Sequence, residues 1–176
     1  MSFITQLQDT PEIFISFVSV IGLMVGSFLN VVIYRLPKMM NRTWQQQCAE
    51  LRGEAHTVLP KYNLATPRSV CPHCAHNISL LENIPVISYL ALRGRCSKCN
   101  AYISLRYPIV ELLTAFLSGF VAWYFGYAFI TFATLIFVWA LIALAFIDID
   151  TQLLPDDITL PLVWIGLLVN MKGGFT

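Results

Sequence analysis

Residues 71–99 read CPHCAHNISLLENIPVISYLALRGRCSKC, with one Cys-x-x-Cys pair at each end and 21 residues between the pairs. Each pair sets two thiols on one tight turn. Two such turns facing each other supply four sulfurs in the tetrahedron that zinc prefers. The expected ligands are Cys71, Cys74, Cys96 and Cys99. Two disulfides, or four thiols without a ligand, remain open as alternatives, and the gap is slightly longer than is usual for a zinc ribbon.

The composition around this stretch is that of a membrane protein. The chain has 176 residues, of which 57% are hydrophobic and only 12% are charged, and its mean hydropathy is +0.67. A soluble domain carries about a quarter of its residues as charged side chains. The shortage of charge therefore excludes an ordinary soluble domain, and we expect membrane lipid, and no nucleic acid, as a partner.

Four apolar runs predict helices. Residues 13–34 contain no charge, and 22 residues at about 1.5 Å each reach across a bilayer. Residues 107–127 and 128–147 predict two more spans joined by a very tight turn, whereas the run at 158–170 is too short to span. The sequence thus predicts an all-α polytopic membrane protein with about three complete transmembrane helices and a truncated fourth.

A pair of glycines in the first span suggests how the helices pack. Gly22 and Gly26 form a Gly-x-x-x-Gly pair, which lets two helices approach closely in lipid. A chance occurrence of this spacing explains the pair equally well. The sequence therefore leaves the role of the two glycines open.

The segment between the first two spans is different in kind. Residues 35–106 hold ten of the eleven Lys and Arg residues, and their prolines argue against long helices. Only residues 41–53 suggest a short amphipathic helix. The expected organisation is an N-terminal segment and first span at 1–35, a zinc-ribbon-like loop domain with the four cysteines (the four-cysteine domain) at 36–106, and further membrane helices at 107–176.

The distribution of basic residues also predicts the orientation. Lys and Arg near span ends favour the cytoplasmic side, so the four-cysteine domain is expected in the cytoplasm and the N-terminus in the periplasm. Cytoplasmic thiols are kept reduced, which favours metal binding over disulfides. If the loop were periplasmic, disulfides would be the better interpretation.

Asp148 is the strongest candidate for chemistry. It ends an uninterrupted apolar run, where a carboxylate is costly unless it faces a cavity or a partner. A poorly hydrated carboxylate can hold a proton near neutral pH, and two carboxylates sharing a proton can activate water against a peptide carbonyl. A hydrated loop residue is the alternative, and Asp150, Asp156 and Asp157 fit that alternative better.

Other polar residues favour structural roles. Glu111 lies near the start of the second span, where it can snorkel or pair with a basic group such as Arg106. His73 and His76 flank the first cysteine pair and are further candidate metal ligands, although four cysteines suffice.

Several stretches together resemble the type IV prepilin peptidase and N-methyltransferase family of membrane aspartyl peptidases. The match runs in order from about residue 20 to residue 170. The matching stretches are Gly26-Ser27-Phe28-Leu29-Asn30-Val31-Val32, Arg35-Leu36-Pro37, Tyr62-Asn63-Leu64, Pro67-Arg68-Ser69, Asn83-Ile84-Pro85, Ser88-Tyr89-Leu90, Arg93-Gly94, Ser104, Arg106-Tyr107-Pro108, Glu111, Asp148 and Pro155-Asp156, together with both cysteine pairs.

The resemblance implies a bifunctional enzyme of the bacterial inner membrane that serves type IV pili and type II secretion. Such enzymes cleave the leader from prepilins and pseudopilins at the cytoplasmic face, then methylate the new N-terminus with S-adenosylmethionine. By resemblance, Asp148 is the first catalytic aspartate. No glycine-rich strand–turn–helix points to a site for the methyl donor, and the family associates methyl transfer with the N-terminal region.

The chain departs from the family pattern in one respect. The family's second catalytic aspartate lies in a Gly-x-Gly-Asp motif, which the 176 residues do not contain. We therefore expect an N-terminal portion that is inactive as a peptidase on its own. The alternatives are a non-catalytic membrane protein whose zinc-clasped cytoplasmic loop binds a partner, and a membrane zinc sensor that uses the same four cysteines.

Overall fold

The computed structural model describes residues 3–54, 62–79, 81–171 and 173. Six α-helices occur in this part of the chain, in the order α1 (Phe3–Asp9), α2 (Pro11–Leu51), α3 (Ile87–Ala91), α4 (Arg106–Phe125), α5 (Phe129–Thr151) and α6 (Asp156–Met171). A short 3₁₀ turn, Leu81–Asn83, precedes α3. No β-strand occurs among the described residues.

Helices α2, α4 and α5 are long and apolar enough to cross a membrane. The prediction of an all-α polytopic membrane protein with three complete spans is confirmed. Helix α6 is shorter, with 16 residues, as expected for the fourth apolar run, which is too short to span. The turn between α4 and α5 is as tight as the sequence predicts, because only residues 126–128 separate the two helices.

Helix α2 is longer than the sequence predicts. It does not end near Tyr34 but continues through a buried Pro37 to Leu51, over 41 residues. Ten of the 14 residues at 38–51 are of the types Lys, Arg, Met, Gln, Ala, Glu and Leu, which favour a helix, and these outweigh the single proline. The short helix expected at residues 41–53 is therefore the end of α2, so the first span and the start of the loop domain are one element.

The membrane helices meet in an apolar core near the end where the four-cysteine domain attaches. Buried side chains from α2, α4 and α5 form one cluster there, namely Leu29, Val32, Ile33, Leu36, Val110, Ile142, Ala143 and Ile147. Two polar bonds join the same helices: the Asn30 amide donates to the Tyr107 carbonyl over 3.1 Å, and the Trp139 indole N–H donates to the Ser118 hydroxyl over 2.9 Å. The bundle is thus fixed by both packing and directional bonds.

Gly22 and Gly26 lie where α2 and α4 approach each other closely. A Cβ atom at Gly22 would lie 2.9 Å from the Cα of Ala115, and one at Gly26 would lie 2.8 Å from the Cα of Glu111. Atoms at such distances overlap, so only glycine permits this backbone separation. The structure therefore gives the Gly-x-x-x-Gly pair a packing role within the chain.

This contact predicts the effect of adding one methyl group. Gly26→Ala should lower the free energy of unfolding by about 1–3 kcal/mol, because the methyl overpacks the helix interface. Unfolding of the chain in mixed detergent micelles, followed by far-ultraviolet circular dichroism, measures the change.

Gly166→Ala is the matched control, because Gly166 is also helical but has no neighbouring atom within 4 Å of an added Cβ. Alanine is a better helix former than glycine, so this variant should keep or raise stability. Equal losses from the two variants would contradict the packing role of Gly26.

Candidate functional site

The two cysteine pairs fold as two copies of one turn. Backbone pairing between Val70 and Asn77 flanks the first pair, and pairing between Arg95 and Tyr102 flanks the second. The N–H of the leading cysteine donates to the carbonyl five residues on in each copy: Cys71 to His76 and Cys96 to Ala101, both over 2.9 Å. The chain thus repeats one local structure at each end of residues 71–99.

Each turn closes through a residue in the left-handed region. Ala75 and Asn100 both have φ of 56°, and their N–H groups donate back to Cys71 and Cys96 over 2.9 and 3.1 Å. Asparagine visits this region readily, whereas the Cβ of an alanine makes it costly by about 1–2 kcal/mol. The first turn therefore carries backbone strain that the second avoids.

The two turns face each other and gather the four thiols. All four sulfurs lie within 4.8 Å of one another, with 3.7 Å between Cys71 Sγ and Cys99 Sγ and 3.9 Å between Cys74 Sγ and Cys96 Sγ. None of the cysteines is in a disulfide. The arrangement is that of a group that can hold one metal ion.

Backbone N–H groups prepare two of these thiols for metal binding. Hydrogen bonds from the N–H of Cys74, then of His73, lower the pKa of Cys71 to about 6. The N–H groups of Cys99 and Lys98 likewise lower the pKa of Cys96. The thiolate is the metal-binding form of cysteine, so the fold of each turn favours coordination by its leading residue.

Glu82 joins the two turns from outside the cysteine set. Its carboxylate accepts from the Ser97 hydroxyl in the second turn and from the Ser79 N–H beside the first over 2.7 Å. His76 Nε2 lies 3.5 Å from the same carboxylate, so His76, a candidate ligand in the sequence, instead faces Glu82. The Ser97 bond is the largest cause that lowers the pKa of Glu82 to about 2.

Arg35 attaches one part of the loop domain to the membrane helices. It is buried on α2, and its guanidinium donates to the carbonyls of Asn63 and Pro67 over 2.9 and 2.7 Å. A buried guanidinium needs several acceptors, and the loop backbone supplies them. This explains why a basic residue directly follows the first apolar run.

Glu111 attaches a second part of the loop domain. This buried carboxylate on α4 accepts from the Val86 N–H over 2.8 Å and from the Ser27 hydroxyl of α2. Pairing with Arg106, one of the two possibilities that the sequence left open for Glu111, does not occur. Glu111 bonds Val86 and Ser27, whereas Arg106 bonds Asp150 and Phe146 of α5. The structural role expected for Glu111 agrees with this position.

Asp148 and Asp150 lie on the last turn of α5 but differ in their partners. Arg106 donates to Asp150 at 2.5 Å and to the Phe146 carbonyl at 3.2 Å, which fastens the end of α5 to the start of α4. The Asp148 side chain is exposed, and no side chain or backbone group within the described ranges bonds its carboxylate. Asp148 is therefore available to other molecules, whereas Asp150 is engaged in holding the helices.

Sequence reasoning did not find three of these sets of contacts. The role of Glu82 depends on the folding of both turns, the acceptors of Arg35 come from distant backbone, and the pair between Arg106 and Asp150 joins residues 44 positions apart. Only the contacts of Arg35 are indicated by the local sequence, because a charged residue directly after an apolar run needs a polar partner.

Two family models match the chain. The model described as Bacterial Peptidase A24 N-terminal domain covers residues 20–125, and the model described as Type IV leader peptidase family covers residues 135–176. Together they include both the four-cysteine domain and Asp148. No solved structure matches the chain.

Curated proteins named prepilin leader peptidase/N-methyltransferase are similar over nearly all of the chain. That of Stutzerimonas stutzeri is 53% identical over 96% of the chain and 59% of its own length. That of Pseudomonas aeruginosa is 50% identical over 99% of the chain and 61% of its own length, and that of Aeromonas hydrophila is 54% identical over 94% and 58%. The chain thus spans about three fifths of the length of these relatives.

Proposed function

Because the chain belongs to the bacterial A24 family of type IV leader peptidases, we propose that it forms part of a prepilin leader peptidase and N-methyltransferase. The enzyme cleaves leader peptides from prepilins and pseudopilins at the cytoplasmic face of the inner membrane and methylates the new N-terminus. The names of relatives about 50% identical support this proposal. The observation that carries it is the free Asp148 carboxylate at the end of a membrane helix.

Asp148 has the position that an aspartyl peptidase requires. One carboxylate of a pair removes a proton from water while the water oxygen attacks the scissile carbonyl, and the other donates a proton to the departing amide nitrogen. Asp148 is one of the two, and the Arg106–Asp150 pair fixes the helix end that carries it. The second carboxylate belongs to a Gly-x-Gly-Asp segment, which the 176 residues do not contain.

Zinc is the metal that the four cysteines fit best. A tetrahedron with Zn–S bonds of about 2.3 Å has sulfurs about 3.8 Å apart, and two of the sulfur separations are 3.7 and 3.9 Å. Cys71, Cys74, Cys96 and Cys99 would hold the ion, with no open position for water. Zinc would therefore stabilise the loop domain and leave the chemistry to other groups.

The methyl donor, S-adenosylmethionine, is proposed from the names of the relatives alone. The described residues include no glycine-rich strand–turn–helix that would hold it. We therefore assign it no residues and derive no step of the methyl transfer.

The orientation proposed is a periplasmic N-terminus and a cytoplasmic four-cysteine domain. Cys48 reports on it, because this thiol is exposed at the end of α2 and lies outside the metal group. A membrane-impermeant maleimide should leave Cys48 unlabelled in intact spheroplasts and label it after lysis. If Cys48 is labelled before lysis, and this labelling disappears in Cys48→Ser, the orientation is the opposite of the one proposed.

Asp148→Asn should abolish leader cleavage, by at least a thousandfold, in a chain that carries the complete peptidase region. Asparagine keeps the shape of the side chain but cannot exchange the proton. An in vitro assay with a prepilin substrate measures cleavage and methyl transfer separately, and methylation of an already cleaved pilin should survive.

Asp150→Asn is the matched control, two residues away on the same helix. It weakens a half-exposed ion pair worth about 1 kcal/mol or less, so cleavage should fall only a few-fold. Normal cleavage by Asp148→Asn would exclude Asp148 as the catalytic carboxylate.

Purified protein should contain about one zinc per chain, coordinated by sulfur at about 2.3 Å. Metal analysis and X-ray absorption spectroscopy measure the content and the distance. Cys71→Ser should lose most of the zinc under chelator challenge, whereas Cys48→Ser should retain it. A metal-free reduced protein, or equal retention by both variants, would rule out the proposed site.

A further inference from the structure

The residue before the short helix α3 contacts a side chain of the membrane helix α4. The Val86 N–H, directly before α3, bonds the Glu111 carboxylate over 2.8 Å. Glu111 lies five residues inside α4, which begins at Arg106 and has 20 residues. At about 1.5 Å per residue, α4 is about 30 Å long and uses its whole length to cross the hydrocarbon. Because a helical side chain leans toward the helix N-terminus, the Glu111 carboxylate and Val86 lie between the start of α4 and about 7 Å inside it. This is the depth of the lipid headgroups and the first part of the acyl chains.

The segment around this contact exposes large apolar side chains. Leu81, Ile87 and Leu90 are 76%, 65% and 69% exposed, and Ile87 and Leu90 share one face because they are three residues apart on a helix. Such residues in water would form an unfavourable patch. At the depth of Val86 the same side chains meet lipid.

The backbone of this segment suits a medium that offers few hydrogen bonds. The N–H groups of Ser88, Leu90 and Leu92 donate to carbonyls within the segment at 2.9–3.1 Å, and the Ser88 hydroxyl donates to the Ile84 carbonyl. Glu111 accepts the Val86 N–H at the start of the helix. A backbone that enters a lipid interface must be satisfied internally or by buried protein groups, and these four N–H groups meet that requirement.

Basic residues border the segment where it returns to water. Arg93 and Lys98 follow α3, and both are exposed. Cations beside an inserted apolar face are typical of segments that bind anionic lipid surfaces. The apolar residues and these charges therefore fit one partner, a bilayer with anionic headgroups.

We propose that residues 81–91 form an interfacial membrane segment, with Ile87 and Leu90 inserted into the lipid leaflet on the side of the four-cysteine domain. That domain is thus seated on the bilayer surface, and Glu111 sets the depth of the segment. The inference depends on the contact between Val86 and Glu111 and is independent of the proposed peptidase activity.

Photocrosslinking in the full chain tests the proposal. p-Benzoylphenylalanine replaces Leu90, and the protein is irradiated in vesicles of phosphatidylethanolamine and phosphatidylglycerol that carry an alkyne-tagged phospholipid. Phe116, exposed in the middle of α4, is the lipid-facing reference, and Gln46, exposed on the part of α2 beyond the bilayer, is the aqueous control. Lipid adducts at position 90 should approach the yield at Phe116 and exceed the yield at Gln46 at least fivefold.

A lipid yield at position 90 no higher than at Gln46 overturns the proposal, as do adducts to protein in place of lipid, which would show that another polypeptide covers α3. The same replacement at Ile87 repeats the test on the second inserted side chain. It decides the outcome if the Leu90 variant loses its helical circular dichroism.

Discussion

The close approach of α2 and α4 is the contact on which the rest of the structure depends. Gly22 and Gly26 bring the two backbones so near that an added methyl would overlap the facing helix. This approach places Ser27 against Glu111 and Asn30 against the Tyr107 carbonyl. The same two helices supply Arg35 and Glu111, the side chains that attach the loop domain. A change in the distance between α2 and α4 would therefore displace that domain.

The four-cysteine domain has almost no apolar core of its own. Between residues 62 and 105 the only buried hydrophobic side chains among those described are Cys71 and Cys96. A domain of this kind needs other constraints to fold. Here they are the gathered thiols, the carboxylate of Glu82 that joins the two turns, and the attachments through Arg35 and Glu111. The thiol group therefore takes the place that packed aliphatic side chains take in larger domains.

Features that are local in sequence were predictable, and those that depend on distant partners were not. Apolar runs predicted the three spans, and two spacings of Cys-x-x-Cys predicted the metal group. The end of α2 was placed too early because the apolar run ends at Tyr34 and the prolines of the next segment argued against a long helix. The helix-forming residues after Pro37 carry α2 to Leu51. The engagement of Asp150 by Arg106 requires knowing that α4 and α5 begin and end side by side, which the sequence does not state.

The unbroken course of α2 has a mechanical consequence. Its 41 residues make a rod about 60 Å long, of which about 25 Å extends past Tyr34. Because α2 passes from lipid into water, a change in its tilt also moves the part outside the bilayer. A change of about 5° in the tilt of α2 moves its C-terminal end by about 2 Å. The thickness of the surrounding membrane is therefore coupled to the position of Trp44 and its neighbours through geometry alone.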